Sequence, residues 1–204
     1  MIIECIETGE FCTDTYLIVE GQSAVVVDPG ADYERILSRL SELKAKAEYV
    51  LVTHAHFDHI GAVAKFSECG TKVYISQVDY EMLIKSDFYV DLGFFGESVE
   101  RFEADIKVKD GDSFTICNHN FTVIETPGHT PGGVCYVMDG KHIFTGDTLF
   151  YMSVGRTDFP FCSHSDLMKS IKKLFALQGD YNIYPGHGKS TTLCFERKNN
   201  PYVS

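Results

Sequence analysis

The chain has 204 residues, 44% of them hydrophobic and 23% charged, which fits one folded globular domain and excludes a disordered chain, a disulfide-built miniprotein and a fibrous repeat. Eighteen Lys and Arg against 29 Asp and Glu leave a net charge of −11, a field that disfavours nucleic acid and anionic membrane as partners. The N-terminal MIIECIETGE has no basic segment, no apolar run reaches the ~18 residues of a membrane span, and the seven cysteines include no C-x-x-C pair. The expectation is therefore a cytoplasmic protein with reduced cysteines acting as buried or semi-buried small hydrophobes.

Ile2–Glu7, Thr15–Glu20 and Ala24–Asp28 are β-branched runs separated by Gly9 and Gly21 and read as strands, the third closed by Asp28-Pro29-Gly30. Over 33–43, Ile36, Leu37, Leu40 and Leu43 share one helical face, with Asp32 at the N-cap. Glu48–Thr53 is an apolar strand, 59–69 has helical spacing and stops at Gly70, Val73–Ile75 is a strand, and a short helix follows near 77–85. Residues 86–104 predict an irregular aromatic loop broken by Gly93 and Gly96, whose Phe94 and Phe95 are candidates to wall a substrate site. Strands return at Ile106–Val108, Ser113–Cys117, Phe121–Glu125, Val134–Met138 and Lys141–Thr145. A helix over 165–178 turns Leu167, Ile171, Leu174 and Phe175 inward, and Asn182–Tyr184 is a last strand. Two groups of strands, each followed by helices, suggest an α+β, four-layer αβ/βα sandwich in one domain over 1–204; the same pattern also allows a doubly wound α/β sheet.

The sharpest feature is Thr53-His54-Ala55-His56-Phe57-Asp58-His59, delivered from a strand end into a helix start. His54 and His56, two apart on that exit, can converge on one metal ion. Asp58 and His59 fall at the helix N-terminus, where the dipole favours a carboxylate. Three more strands run into Gly/Pro turns that each carry one ligand type: Thr126-Pro127-Gly128-His129-Thr130-Pro131-Gly132, Gly146-Asp147 and Pro185-Gly186-His187-Gly188. Together these segments supply five His and two Asp, a full donor set for two metals. His119, His142 and His164 read as surface residues.

H-A-H-F-D-H, T-P-G-H-T-P-G, F-T-G-D and Y-P-G-H-G, in that order, resemble the metallo-β-lactamase superfamily, and within it the short, single-domain, glyoxalase II-like (hydroxyacylglutathione hydrolase-like) hydrolases. The resemblance runs from Asp28-Pro29-Gly30 to His187 and implies the αβ/βα sandwich. It also implies that His54, His56 and His129 ligate one metal, that Asp58, His59 and His187 ligate the other, and that Asp147 bridges both. Asp28 matches a residue that steadies the His loop. Two divalent ions are implied, zinc first, with iron or manganese compatible with the same nitrogen and oxygen donors. Such ions, about 3.5–4 Å apart, share a hydroxide that attacks the carbonyl of a small-molecule thioester or ester, an S-2-hydroxyacyl thiol above all, with Asp58 orienting it.

A β-lactamase of this fold is expected to be exported and to lack an acid at the position of Asp147, and the nuclease branches are expected to carry an inserted domain. The helical extension with which full-length glyoxalase II grips glutathione is not expected after Asn200-Pro201-Tyr202-Val203-Ser204, so glutathione is not implied as the carrier thiol. Arg156, in Gly155-Arg156-Thr157-Asp158-Phe159, is a candidate partner for a substrate carboxylate or, equally, a structural partner of a neighbouring acid. The G-R-T-D-F stretch also resembles persulfide dioxygenases, in which His54, His129 and Asp147 would hold a single iron. The remaining alternative is a non-catalytic metal-binding scaffold.

Overall fold

A computed structural model describes residues 1–86, 91–92 and 97–202. The first apolar runs fold as an antiparallel meander, β1 (Ile2–Thr8), β2 (Thr13–Glu20) and β3 (Ser23–Val27). The chain then crosses through α1 (Tyr33–Glu42) to β4 (Lys46–Leu51), through α2 (Phe57–Ile60) and α3 (Val63–Glu68) to β5 (Lys72–Ser76), and through α4 (Gln77–Lys85) and the short pair β6 (Asp91–Leu92) and β7 (Glu97–Ser98) to β8 (Ile106–Val108). β4 pairs parallel with β3, β5 with β4 and β8 with β5, giving a sheet of order β1-β2-β3-β4-β5-β8, while β6 and β7 pair antiparallel with each other. The second sheet takes β9 (Ser113–Ile116), β10 (His119–Glu125), β11 (Val134–Met138) and β12 (His142–Gly146) as antiparallel neighbours. After the hairpin β13 (Leu149–Phe150) and β14 (Ser153–Val154) and the helix α5 (His164–Phe175), β15 (Asn182–Pro185) joins β12 in parallel. β16 (Thr191–Thr192) and α6 (Leu193–Asn199) follow.

Side-chain alternation along the strands decides the layering. In β2, Tyr16 and Ile18 point between the sheets, where they meet Phe121, Tyr136 and Phe144 of the second sheet, while Leu17 and Val19 point the other way, toward Ile36 and Leu40 of α1 and Phe66 of α3. Ile124, Cys135, Val137 and Ile143 likewise leave the outer face of the second sheet for Leu174 of α5 and Leu193 of α6. Helix, sheet, sheet and helix therefore stack in four layers, and the doubly wound alternative, with one sheet covered on both faces, is excluded. Among the described residues no helix is long and apolar enough to cross a membrane.

Phe121 is fully buried between the sheets and stacks on Phe114 at 5.7 Å. Phe121→Ala is expected to lower unfolding free energy by about 3–5 kcal/mol in a denaturant titration. A loss under about 1 kcal/mol would mean that the sheets do not close there.

Several local expectations are corrected. The single helix over 59–69 breaks into α2 and α3 at Gly61, where a Cβ would stand 2.2 Å from the carbonyl oxygen of Gly30. Asp32 does occupy the N-cap of α1, but with a positive φ of 54° and no capping bond; its carboxylate accepts the Gly9 amide at 3.1 Å instead. His119 is not a surface residue: it is buried at the start of β10, with Nδ1 2.7 Å from Asp139 Oδ2. His142 is half-buried on β12, its Nδ1 3.1 Å from the Tyr184 hydroxyl, whereas His164 is exposed as expected. Cys5, Cys12 and Cys69 are exposed, not buried. Phe94 and Phe95 lie outside the described residues.

Candidate metal centre

Five loops, leaving β3, β4, β10, β12 and β15, bring Asp28, His54 with His56, His129, Asp147 and His187 together at one edge of the sandwich, with Asp58 and His59 supplied by the first turn of α2. The ligand atoms of His54, His56 and His129 lie within 4.8 Å of one another, as do those of Asp58, His59 and His187. Asp147 stands between the two groups. Its Oδ1 is 3.3 Å from His59 Nε2, and its Oδ2 is 3.4 Å from His129 Nε2 and 3.7 Å from His187 Nε2.

Outer hydrogen bonds set which ring nitrogen faces inward. His129 Nδ1 donates to the Arg156 carbonyl oxygen at 2.8 Å and His187 Nδ1 to that of Cys12 at 3.3 Å. His59 Nδ1 lies 3.0 Å from Asp28 Oδ2. All three rings thus present Nε2 to the centre. Asp28 can also be grouped with His54 and His59 as a ligand, but its oxygens are already taken. Oδ1 accepts the Thr53 amide at 2.7 Å, and Oδ2 accepts the Thr53 hydroxyl at 2.6 Å as well as facing His59. Asp28 therefore braces the His loop from behind.

The donors fit divalent ions. Among the described residues, His54 Nε2, His59 Nε2 and Asp147 Oδ1 are buried without a hydrogen-bond partner, each a cost of about 1–3 kcal/mol that an ion would relieve. The set is all nitrogen and carboxylate oxygen, suited to zinc and equally to iron or manganese. Burial drives His54 well below the usual histidine range and His56 down to about 3, with neighbouring imidazoles adding to both. Burial also pushes Asp147 upward, but His59, then His129 and His54, outweigh it and hold the carboxyl well below its usual range. Burial works against charge on His59 too, yet Asp147 and Asp58 raise it well above normal.

These shifts give the metal-free protein a pH signature. Near pH 6.5 the unfolded chain takes up protons on His54 and His56, while the folded chain keeps His56 neutral down to about 3. Stability therefore rises with pH across that window and is lost on acidification. His59 and His187, both raised, oppose this only around pH 6.5, where the unfolded imidazoles are partly neutral, and add no slope once both states are protonated, while Asp58 and Asp147, both held low, extend the loss below the carboxylate range. The melting temperature of the metal-free protein should fall from about pH 6 to about pH 4; a flat profile would contradict the buried, neutral imidazoles.

Both groups open into a cavity of about 380 Å³, walled by Phe11, Phe57, Phe150, Val154 and Phe159, with Arg156 also in its lining. The structural expectation for Arg156 is met by Asp158. Arg156 reaches the pocket, and its Nε and Nη2 pair with the Asp158 carboxylate at 2.7 and 2.8 Å while the guanidinium lies 3.8 Å from the Phe159 ring centre. Two buried residues escaped the sequence reading. Thr13 donates its hydroxyl to Asp58 Oδ2 at 3.2 Å, and Asp79 holds the backbone of the His54–His56 loop. A threonine in a strand and an acid in a helix's first turn carry no local signal of either role.

The metallo-beta-lactamase superfamily pattern matches residues 8–187. Hydroxyacylglutathione hydrolase GloC of Haemophilus influenzae is 33% identical over 209 residues, covering 100% of this chain and 99% of that one. Among solved structures, the B3 metallo-beta-lactamase BLEG-1 superposes with a TM-score of 0.90 at 32% identity over 100% of both chains. TTHA1623, crystallised in a di-iron-bound form, superposes with a TM-score of 0.85 at 31% identity over 98% of this chain and 99% of that one. The matched span takes in every donor of both groups and the acid between them, and the chain belongs to the metallo-beta-lactamase superfamily.

Proposed function

We propose that the protein is a dinuclear metallo-hydrolase that cleaves thioesters of the S-2-hydroxyacyl type. The observation that carries this reading is the position of Asp147, whose two oxygens lie 3.3 and 3.4 Å from donors belonging to different groups. His54, His56 and His129 would hold one divalent ion and Asp58, His59 and His187 the other, with Asp147 placed to serve both. Zinc is the first expectation for both sites, and the di-iron form of TTHA1623 keeps iron in view. Bound there, the ions supply Lewis acidity toward a carbonyl oxygen and a water-derived nucleophile at neutral pH.

The chain's own residues do the rest. Thr13, whose hydroxyl donates to Asp58 Oδ2 at 3.2 Å, fixes the carboxylate that orients the attacking water. The aromatic wall holds the acyl group and limits bulk water. Arg156 is free to meet a substrate carboxylate only by giving up the Asp158 fork, an exchange of one charge-assisted pair for another.

The GloC likeness supports the thioester, and the likeness to BLEG-1 makes a β-lactam the second substrate class to try. The test is a panel of S-2-hydroxyacyl thioesters on glutathione, coenzyme A and small thiols, with a chromogenic β-lactam and a thiol persulfide, run on protein of measured metal content. Thioester turnover abolished by a chelator and restored by metal supports the proposal. Oxygen uptake with the persulfide by protein holding one iron replaces it with a dioxygenase, and silence on every substrate with both sites filled leaves a metal-binding scaffold.

A further inference from the structure

We infer that Asp79 is a positioning residue that sets the geometry of the His54, His56 and His129 site, an inference that rests on the ligand roles proposed above. Asp79 lies in the first turn of α4 and its side chain is fully buried. Its hydrogen bonds run to the loops that carry the ligand rings. Its Oδ2 accepts the amide of Ala55, the residue between His54 and His56, at 2.9 Å, and the hydroxyl of Thr130, the residue after His129, at 2.8 Å. Its Oδ1 accepts the amide of Gly132 at 2.7 Å. One carboxylate thus ties together the two loops that carry the three imidazoles, loops that leave different sheets.

The chemistry requires an acceptor on both arms. All three partners are N–H or O–H donors, and a carboxylate is the only side chain of this size that offers two oxygens and no hydrogen. An Asn in its place would turn an N–H toward one loop and release it. The fit is tight from the other side too: a Cβ on Gly132 would stand 2.4 Å from the Asp79 amide nitrogen and 2.6 Å from its Oδ1. The Asp58, His59 and His187 group receives none of these bonds. Its bracing comes from Asp28, Thr13 and the Cys12 carbonyl. Asp28 serves both groups, through Thr53 beside His54 and through His59, whereas Asp79 bonds only to the loops of the first group, so loss of Asp79 should be felt chiefly there.

The test reads metal affinity, with Zn²⁺ alone titrated into metal-free protein against a chromophoric chelator. A His187→Ala background isolates the first site, and a His56→Ala background isolates the second. Asp79→Asn should weaken Zn²⁺ binding about 10–100-fold in the first background, the usual effect of removing an outer partner, and change it less than about twofold in the second. Thr130→Val, which deletes one of the three donors at constant volume, should act in the same direction with a smaller loss, and decides the matter if Asp79→Asn does not fold. Equal weakening in both backgrounds assigns Asp79 a general structural role and overturns the inference, as does unchanged affinity in the first. These affinities do not depend on which substrate is cleaved, so failure of the thioesterase reading leaves them standing; a chain that binds no Zn²⁺ in either background overturns the ligand roles and this inference with them.

Discussion

His187→Ala is expected to leave each chain with one tightly held ion and to lower kcat by more than the ~10–100-fold that losing an outer partner costs. His187 lies 133 positions from His54, yet its Nε2 stands 3.3 Å from Asp58 Oδ2 and faces the second group. Without it that site keeps Asp58, His59 and one arm of Asp147, an under-coordinated set for zinc. Asp147→Ala is expected to do more, because its oxygens serve both groups. Both ions should be lost and hydrolysis should fall to background. Metal analysis and thioester kinetics on the two variants read the contrast. A His187→Ala protein that keeps full activity with one iron per chain would support the dioxygenase reading in place of the hydrolase.

Gly186→Ala is expected to disable the centre while leaving the fold intact. A Cβ at this position would stand 2.2 Å from Asp147 Oδ1 and 2.7 Å from His59 Cε1. The backbone cannot move away easily, because the Gly186 amide donates to the Gly146 carbonyl at 2.9 Å and the Gly186 carbonyl accepts the Asp14 amide at 2.7 Å. The added methyl must therefore displace the bridging carboxylate or the imidazole. Metal affinity should fall at least about tenfold, since ligands displaced by an ångström no longer match the ion. The circular dichroism spectrum and secondary structure should stay as in the parent. Gly188→Ala is the control. Its φ of 80° makes alanine cost about 1–2 kcal/mol of stability, but nothing lies within 4 Å of the new Cβ, so metal content should be kept. Undiminished metal binding by Gly186→Ala would show that the glycine is not needed for the approach of the loops.

The candidate ligands were legible because each sits in a compact motif: an apolar strand, then a turn, then a His or Asp. The residues behind them were not. Asp79 binds groups 24, 51 and 53 positions away, and in sequence it is indistinguishable from an acid that complements a helix dipole. The layering was open for a related reason. The run Thr13–Val19 is buried on both faces, so its composition does not tell a sheet between helices from a sheet between helices and another sheet. Only the pairing of Tyr16 and Ile18 with Phe121 and Tyr136 decides it, and the family resemblance anticipated what periodicity left undecided. The break at Gly61 was hidden because apolar spacing continues unperturbed through 59–69, while the Ala62 amide donates at 2.9 Å to the Pro29 carbonyl of another loop, which no local pattern reveals. β13, β14 and β16, with two residues each, are too short to show any period.

Metal titration of the metal-free protein, followed by the rate of thioester hydrolysis, puts the bridged pair to the most direct test. If Asp147 joins two working sites, the rate stays low through the first equivalent and reaches its plateau at two ions per chain. A plateau at one ion, or two bound ions with no cleavage of any thioester, would contradict a dinuclear thioester hydrolase.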